Sequence, residues 1–363
     1  MGNEKNPLLE ILEMTAPGTA LREGLENVLR ANTGGLIVIG DPAKIKPLMN
    51  GGFNIDTAYS PAHLYELAKM DGAIIVSDDC KRIVSANVHL MPDANVPSSE
   101  TGIRHRTSEQ TARQTGALVI CISQRRHVIS LYKGSFKYVL KDVSVLLNTA
   151  NQALGTLEKY KDVLEEALLR LSVQEFDNIV TLPDVLIVVQ RAEMFKRIDK
   201  MLRLYLTELG DESQLLRMQA DELANNVDED ELLTIRDYMI RDKKKGDFEQ
   251  IDEYFKRLAK LDDEQLYDLD AVARALNLGE LIENDKRIQL EPRGYRVLHK
   301  IPRLPNNVVD NLVEAFGNLQ SILVATNNEL DDVEAVGPAR IRQIKLGLER
   351  IRAQILTDSN WVK

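Results

Sequence analysis

The segment Ala117–Tyr132 reads ALVICISQRRHVISLY and contains two apolar runs separated by a polar turn. Apolar runs of this length, rich in β-branched residues and bounded by turn residues, are typical of buried strands. The sequence therefore predicts strands over Ala117–Ser123 and Val128–Tyr132, joined by the turn Gln124-Arg125-Arg126-His127.

Further strand and helix signals alternate over the first 140 residues. Short apolar runs predict strands at Leu36–Ile39 and Ile74–Val76, a strand Ile83–Leu90 follows a polar turn, and Phe136–Leu140 could add another. Helices are indicated by capping residues: Thr19 precedes an amphipathic stretch, and Ser60 is followed by Pro61 at the first helical position. A polar helix over His105–Gln114 ends near Gly116. We expect an α/β mixed-sheet domain with flanking helices.

The periodicity changes near Asp142, where apolar residues begin to recur every three or four positions. These stripes continue to about residue 285 and predict a helical bundle, in which the acidic run Asp228–Glu231 reads as a solvated face. The last segment shows two short-helix patterns around tight loops, as in an all-α helix-hairpin-helix domain. The expected domains are residues 1–141, 142–290 and 291–363.

Composition narrows the class of protein. The 363 residues carry a formal net charge of −10, which argues against coating nucleic acid by bulk electrostatics. No apolar run approaches the roughly 20 residues of a membrane-spanning helix, and the first residues read as an amphipathic helix rather than a signal peptide. Cys80 and Cys121 lack metal-site or disulfide spacing and read as reduced thiols. A cytoplasmic protein is expected.

Two polar clusters are candidates for chemistry. Asp71-Gly72-Ala73 places a carboxylate at a helix-to-strand junction, where it could hold a divalent cation or form an ordinary turn. Thr101–Glu109 gathers two arginines, a histidine and hydroxyls at a helix start. Such a start suits phosphate, although Thr107 or Ser108 could merely cap the helix. P-loop, dinucleotide-binding and zincin motifs are absent from the sequence.

The two clusters together resemble the diadenylate cyclase family, whose signature is carried by Asp71-Gly72-Ala73 and by Gly102-Ile103-Arg104-His105-Arg106-Thr107. The helical middle and the hairpin-bearing end extend the resemblance over nearly the whole chain. It implies that ATP is converted to cyclic di-AMP with Mg²⁺ or Mn²⁺. Asp71 would bind the metal and help activate the ribose 3′-hydroxyl. The ATP-binding residues implied by the resemblance are Gly72, Leu90, Ile103, Arg104, His105, Arg106, Thr107 and Ser123.

Each of these residues has an implied role. Gly72 would let the nucleotide approach the backbone, Leu90 would pack on adenine, and the helix start would cradle the triphosphate. One departure is Gln124, because the family often has an acidic residue after the serine at that site. Each 3′-hydroxyl must attack the α-phosphate of the other ATP, so two domains must face each other. The family assembly is a homo-octamer.

The C-terminal loops resemble tandem helix-hairpin-helix motifs, whose N–H groups contact DNA phosphates without reading sequence. The better match is Val336–Arg340, which implies DNA contacts from Gly337, Ala339 and Arg340 and a preference for branched DNA. Residues 291–363 carry a net charge of about +1 against −11 for the rest, so binding should depend on several copies. The alternative function is a DNA-binding scaffold with a nucleotide-sensing cyclase domain. A DNA-repair enzyme is disfavoured, because the sequence shows no separate nuclease or glycosylase constellation.

Overall fold

The predicted strands pair into one mixed sheet in the computed structural model, which describes residues 7–241, 246–284 and 288–359. The strand order is β2-β5-β4-β1-β6-β7-β8, and β3 pairs with β5. The pair β1–β4 is parallel, and the other pairs are antiparallel. The strands are β1 (Gly35–Ile39), β2 (Met49–Asn50), β3 (Phe53–Ala58), β4 (Ala73–Val76), β5 (Arg82–Leu90), β6 (Leu118–Ser123), β7 (Val128–Lys133) and β8 (Phe136–Val139).

Both faces of the sheet are covered, which explains why the central strands are continuously apolar. Along β1, Ile37 and Ile39 belong to one apolar cluster, whereas Leu36 and Val38 belong to another. The first cluster includes residues of α1 (Pro7–Met14), α2 (Ala20–Arg30) and α4 (Pro61–Leu67), and the second includes Ala112 of α5 (Ile103–Thr115). The predicted α/β mixed-sheet domain is confirmed.

The capping residues act as predicted. The hydroxyl of Thr19 accepts a hydrogen bond from the amide of Arg22, and that of Ser60 accepts one from His63. Gly116 ends α5 in the left-handed region, at φ +70°. The sequence did not predict β2, β3, α3 (Pro42–Ile45) or the short 3-10 turn Lys46–Leu48 that follows it.

The described chain divides into two compact units. The first comprises the described part of Met1–Gln152 together with Leu202–Met218, and the second comprises Ala153–Met201 and the described part of Gln219–Lys363. Helices of the middle segment therefore contribute to both. The middle helices are α6 (Val143–Asp177), α7 (Leu182–Leu209), the 3-10 turn Gly210–Ser213, α8 (Gln214–Ala224), α9 (Val227–Tyr238), α10 (Asp247–Leu258), α11 (Asp263–Tyr267), α12 (Leu269–Ala275) and α13 (Gly279–Asn284).

Four of the last five described helices form two hairpins that repeat at a spacing of 32 residues, and the fifth helix lies between the hairpins. The loop Ile301–Pro305 joins α14 to α15, and the loop Val333–Gly337 joins α17 to α18. In each loop the fourth residue donates its amide to the carbonyl of the first, at 3.3 Å from Leu304 to Ile301 and 3.0 Å from Val336 to Val333. The helices are α14 (Tyr295–His299), α15 (Asn306–Phe316), α16 (Leu319–Val324), α17 (Asn327–Asp331) and α18 (Pro338–Ser359).

The two hairpins also exchange equivalent contacts. Asn311 on α15 donates its side-chain amide to the carbonyl of Glu334 at 2.8 Å. Its counterpart Gln343 on α18 donates to the carbonyl of Pro302 at 2.6 Å, and Pro302 is the counterpart of Glu334. Each second helix therefore braces the loop of the other hairpin.

A buried polar cluster joins α14 to the helical middle within the second unit. The carboxylate of Asp237 accepts the amides of Gly294, Tyr295 and Arg296 at 2.7–3.0 Å. The guanidinium of Arg296 forms an ion pair with Glu175, and both side chains are fully buried. Satisfying the first amides of α14 in this way holds the first hairpin against α6 and α9.

The prediction that Asp228–Glu231 is a solvated face is wrong at Glu231. This side chain is fully buried beside Lys196 on α7, with 2.6 Å between Nζ and Oε2. Burial also raises the pKa of its neighbour Asp230. Glu231 faces inward because an acidic residue can be buried when a cation on another helix meets it.

Within the part of the chain that the structure describes, no helix combines the length and the hydropathy needed to span a bilayer.

Candidate active site

The predicted nucleotide-site residues lie along one edge of the sheet, which is formed by the starts of β1 and β4 and the ends of β5 and β6. Because β1 pairs in parallel with β4, the residues before each strand, Gly34 and Gly72, lie at the same edge. The end of β6 is antiparallel to β1 and brings Ser123 there, and the end of β5 likewise brings Leu90. Topology therefore places these four residues side by side although the sequence separates them widely.

The carboxylate of Asp71 stands almost free at this edge, with its side chain 98% exposed. Its Oδ1 accepts the amide of Gly72 at 3.0 Å. Gly72 has φ +97°, and a Cβ there would lie 2.9–3.1 Å from the backbone of Asn87 and Val88 on β5. The backbone at residue 72 approaches β5 so closely that only glycine fits there, and this requirement is independent of any ligand.

The start of α5 reaches the same carboxylate. Arg104 Nη2 lies 3.7 Å from Asp71 Oδ1, so the two clusters identified in the sequence meet in the fold. Arg104 also lies over Gly34, where a Cβ would be 2.0 Å from its Nη1. Gly102 precedes α5 without a side-chain capping bond, which leaves the first amides of the helix for a ligand.

The other residues of this helix start differ in exposure. Ile103 is 86% exposed, and Arg106 is exposed with its Nε donating to the carbonyl of Glu100 at 3.3 Å. Thr107 is half-buried inside the helix. Ser108 is buried and donates its hydroxyl to the carbonyl of Arg104 at 2.7 Å. Neither hydroxyl caps the helix, so the simple capping explanation for these residues is wrong.

His105 forms a hydrogen bond with a buried side chain that the sequence did not suggest. Its Nδ1 lies 2.9 Å from the hydroxyl of Tyr132, which in turn lies 3.0 Å from Oε1 of Glu100. Lys137 forms an ion pair with the same carboxylate. Burial lowers the pKa of His105, and the positive charges of Arg126, Lys137 and Arg104 act in the same direction, although Glu100 opposes them.

Leu90, Ser123 and Gln124 occupy the remaining part of the edge. Leu90 is 6% exposed within an apolar cluster, so its side chain offers little surface to an adenine ring, whereas Met91 beside it is 58% exposed. The hydroxyl of Ser123 accepts the amide of Arg126 at 3.2 Å. Gln124, which stands where the family often has an acid, is exposed.

The described side chains at this edge would not hold a divalent cation by themselves, and a nucleotide would have to supply further ligands. Among the described residues no group of three or more His, Cys, Asp or Glu side chains could hold a metal ion. Mg²⁺ in phosphoryl-transfer sites is commonly held by one or two carboxylates, substrate phosphates and water. Asp71 supplies one exposed carboxylate beside the basic helix start, which matches that requirement.

The C-terminal loops show a backbone feature that normally favours glycine. Ala335 has φ +65°, and Arg303, its counterpart in the first hairpin, has φ +61°. Ala339 is exposed, and Gly337 and Arg340 are half-buried. The guanidinium of Arg340 donates to the carbonyl of Ala335, so in this structure it braces the loop.

Comparison with known proteins finds two family models that match this chain. A family model described as DisA bacterial checkpoint controller nucleotide-binding matches residues 22–136, and one described as DisA bacterial checkpoint controller linker region matches residues 140–284. The DNA integrity scanning protein DisA of Carboxydothermus hydrogenoformans is 54% identical over 344 residues, covering 94% of this chain and 96% of that one. The proteins of the same name from Clostridium tetani and Bacillus licheniformis are each 49% identical, covering 98% of this chain and 97% of theirs.

Proposed function

This chain belongs to the family of DNA integrity scanning proteins, and from that premise we propose that it condenses two molecules of ATP into cyclic di-AMP and releases two pyrophosphates. The chain is a diadenylate cyclase, and therefore a nucleotidyltransferase. The observation that carries the specific reaction is the 3.7 Å contact between Asp71 and Arg104. A carboxylate that would bind the cation and a helix start that would bind phosphate thus lie at the same edge.

Each residue of this edge has its own proposed role in binding ATP or the metal. Arg104 and Arg106, with the first amides of α5, would hold the triphosphate and neutralise its charge. Asp71 would hold Mg²⁺ or Mn²⁺, which supplies Lewis-acid activation of the ribose 3′-hydroxyl when bound. Ser123 and Thr107 would add hydroxyl contacts. Most of the rate enhancement would come from orientation and charge stabilisation, of which orientation can supply about 7–11 kcal/mol.

The reaction requires two copies of the domain. In each half-reaction a 3′-oxygen forms a bond to the α-phosphorus of the other ATP, the bond from that phosphorus to the pyrophosphate oxygen breaks, and the hydroxyl proton is lost. One edge offers one set of these groups, so a second copy must present the other nucleotide. The apolar side chain of Ile103, 86% exposed beside Arg104, is suited to lie in such an interface. An octamer would provide several such pairs.

The direct test is incubation of the purified chain with ATP and Mn²⁺, followed by mass detection of cyclic di-AMP. Specific activity should rise with protein concentration, since the active unit is a pair. Nucleotide binding without any product from the wild type would favour the alternative, a nucleotide-sensing scaffold in which Gln124 has weakened the metal site.

We also propose that the two C-terminal hairpins bind branched DNA through the phosphate backbone. Support comes from the left-handed turns at Arg303 and Ala335 and from the main-chain amides of Gly337, Ala339 and Arg340 at the start of α18. Bound DNA would regulate synthesis. Saturating four-way junction DNA should change the rate of cyclic di-AMP formation, and an unchanged rate would contradict the regulatory role.

A further inference from the structure

We propose that Tyr132 and Glu100 are positioning residues of the cyclase reaction, which fix the ring of His105 with its Nδ1 proton directed inward and leave Nε2 to meet the triphosphate. This inference rests on the proposed function and adds two residues to its site. Neither belongs to the two sequence clusters, and neither would touch the nucleotide.

The three side chains form a chain of hydrogen bonds in which Tyr132 and Glu100 are buried and His105 is half-buried. Tyr132 is fully buried on β7, and its hydroxyl lies 2.9 Å from His105 Nδ1 and 3.0 Å from Glu100 Oε1. Glu100 is 9% exposed and forms an ion pair with Lys137 on β8. A charged carboxylate this deeply buried has its geometry fixed by its partners.

The direction of each proton follows from the chemistry of the groups. An ionised carboxylate only accepts hydrogen bonds, so the single proton of the Tyr132 hydroxyl is donated to Glu100. Burial alone would raise the pKa of Glu100, but the bonds from Lys137 and Tyr132 outweigh it and lower that pKa, so the carboxylate is charged. The phenol oxygen must then accept from His105 Nδ1–H, which fixes the tautomer of the imidazole.

This tautomer has a consequence at the other ring nitrogen. In the neutral ring, Nε2 carries a lone pair and cannot donate to a phosphate oxygen. The ring must therefore gain a second proton when the triphosphate binds. Burial lowers the pKa of His105, and so do Arg126 on the β6–β7 turn, Lys137 on β8 and Arg104 on its own helix. The negative charge of Glu100 raises the pKa of His105, so it favours the protonated ring that phosphate needs.

The test compares two tyrosines with matched partners. Tyr138 on β8 also donates to a carboxylate, Glu208 Oε2 at 2.6 Å, but has no contact with His105. Y132F and Y138F each delete one tyrosine–glutamate hydrogen bond from the full-length protein. We expect Y132F to raise the KM for ATP about tenfold, as expected for losing one hydrogen bond to a charged group. Y138F should leave the KM unchanged.

A pH profile separates positioning from a structural effect. In the wild type the affinity for ATP should fall as pH rises through the range in which His105 must take up a proton to bind the triphosphate. E100Q keeps an acceptor oxygen but removes the charge that favours the protonated ring, so the midpoint of this profile should move to lower pH. Y132F should move it in the same direction, and Y138F should not move it. In an H105Q background, Y132F should have no further effect on KM.

The outcomes distinguish this inference from the function on which it rests. Equal KM values and equal pH midpoints for Y132F and Y138F would overturn the positioning role while leaving the cyclase intact. The same holds if E100Q shows the wild-type midpoint, a measurement that remains decisive should Y132F fail to fold. A wild type that makes no cyclic di-AMP would overturn both.

Discussion

Arg104 Nη2 and Asp71 Oδ1 lie 3.7 Å apart at an open edge of the sheet, with side chains 41% and 98% exposed. An ion pair this exposed contributes at most about 1 kcal/mol to stability. A ligand can therefore separate the two side chains at little cost. Under the proposed function, a metal-bound nucleotide would replace the contact between the two charges.

Asp71→Asn should reduce cyclic di-AMP synthesis by about 100-fold or more, a loss within the range reported for removing one charge-stabilising group. Because Asp71 is exposed, the free energy of unfolding should change by no more than about 0.5 kcal/mol. A suitable control is Asp56→Asn, because Asp56 is also an exposed aspartate, paired with Arg82 at 2.9 Å at the far end of β5. Equal activity of the two variants would remove Asp71 from the site.

Ala335→Gly should stabilise the C-terminal hairpins. A left-handed alanine costs about 1–2 kcal/mol that glycine avoids, and Ala335 has φ +65°. The same change at the exposed Ala353 inside α18 should destabilise by about 1 kcal/mol, since glycine is a poor helix former. Chemical denaturation measures both. Shifts of the same sign would show that the turn geometry at Ala335 is not strained.

Arg296→Met should cost about 3–5 kcal/mol, because it leaves Glu175 as a buried charge without its cation. Glu175→Leu should cost a similar amount for the converse reason. The double variant should be less destabilised than the sum of the two, since it buries no unpaired charge. Urea unfolding of the three variants checks this, and strict additivity would argue that the two side chains act independently.

Asp237 should make stability depend on pH. Burial, followed by the charge of Glu175, raises its pKa from 3.8 to about 6. Between these values the native state holds a proton that the unfolded chain has lost, so the stability contributed by this group falls as pH rises from about 4 to about 6. The change is up to about 3 kcal/mol. Asp237→Asn should flatten the curve of unfolding free energy in that window, and an unchanged curve would contradict the assignment.

Local chemistry explains which elements the sequence could predict. Thr19, Ser60 and Gly116 act through their own backbone neighbourhood, so their capping roles follow from residue type. The strand Phe53–Ala58 was not predicted because it is an outermost strand of the sheet with mostly exposed residues. Its register with β5 also shifts between Asn54 and Thr57. An edge strand of this kind lacks the continuous apolar run that marked β1 and β6.

Contacts between distant residues explain what the sequence could not predict. The two sequence clusters identified Asp71 and Arg104 as separate candidate residues. Their contact depends on the pairing of β1, β4 and β6, which the sequence did not predict. Tyr132 lies in an ordinary apolar strand, and nothing in its residue type separates it from a core tyrosine. Glu231 looked solvated because its partner Lys196 is on another helix. Each of these positions is decided by a partner far away in the chain.

The two hairpin loops match in length and in their bracing contacts but differ in their main-chain donors. Pro302 and Pro305 have no amide hydrogen, whereas their counterparts Glu334 and Gly337 each have one. The two otherwise equivalent loops therefore present unequal numbers of backbone donors. If the hairpins bind DNA as proposed, a duplex lying across both loops would be held in one orientation in preference to the reverse.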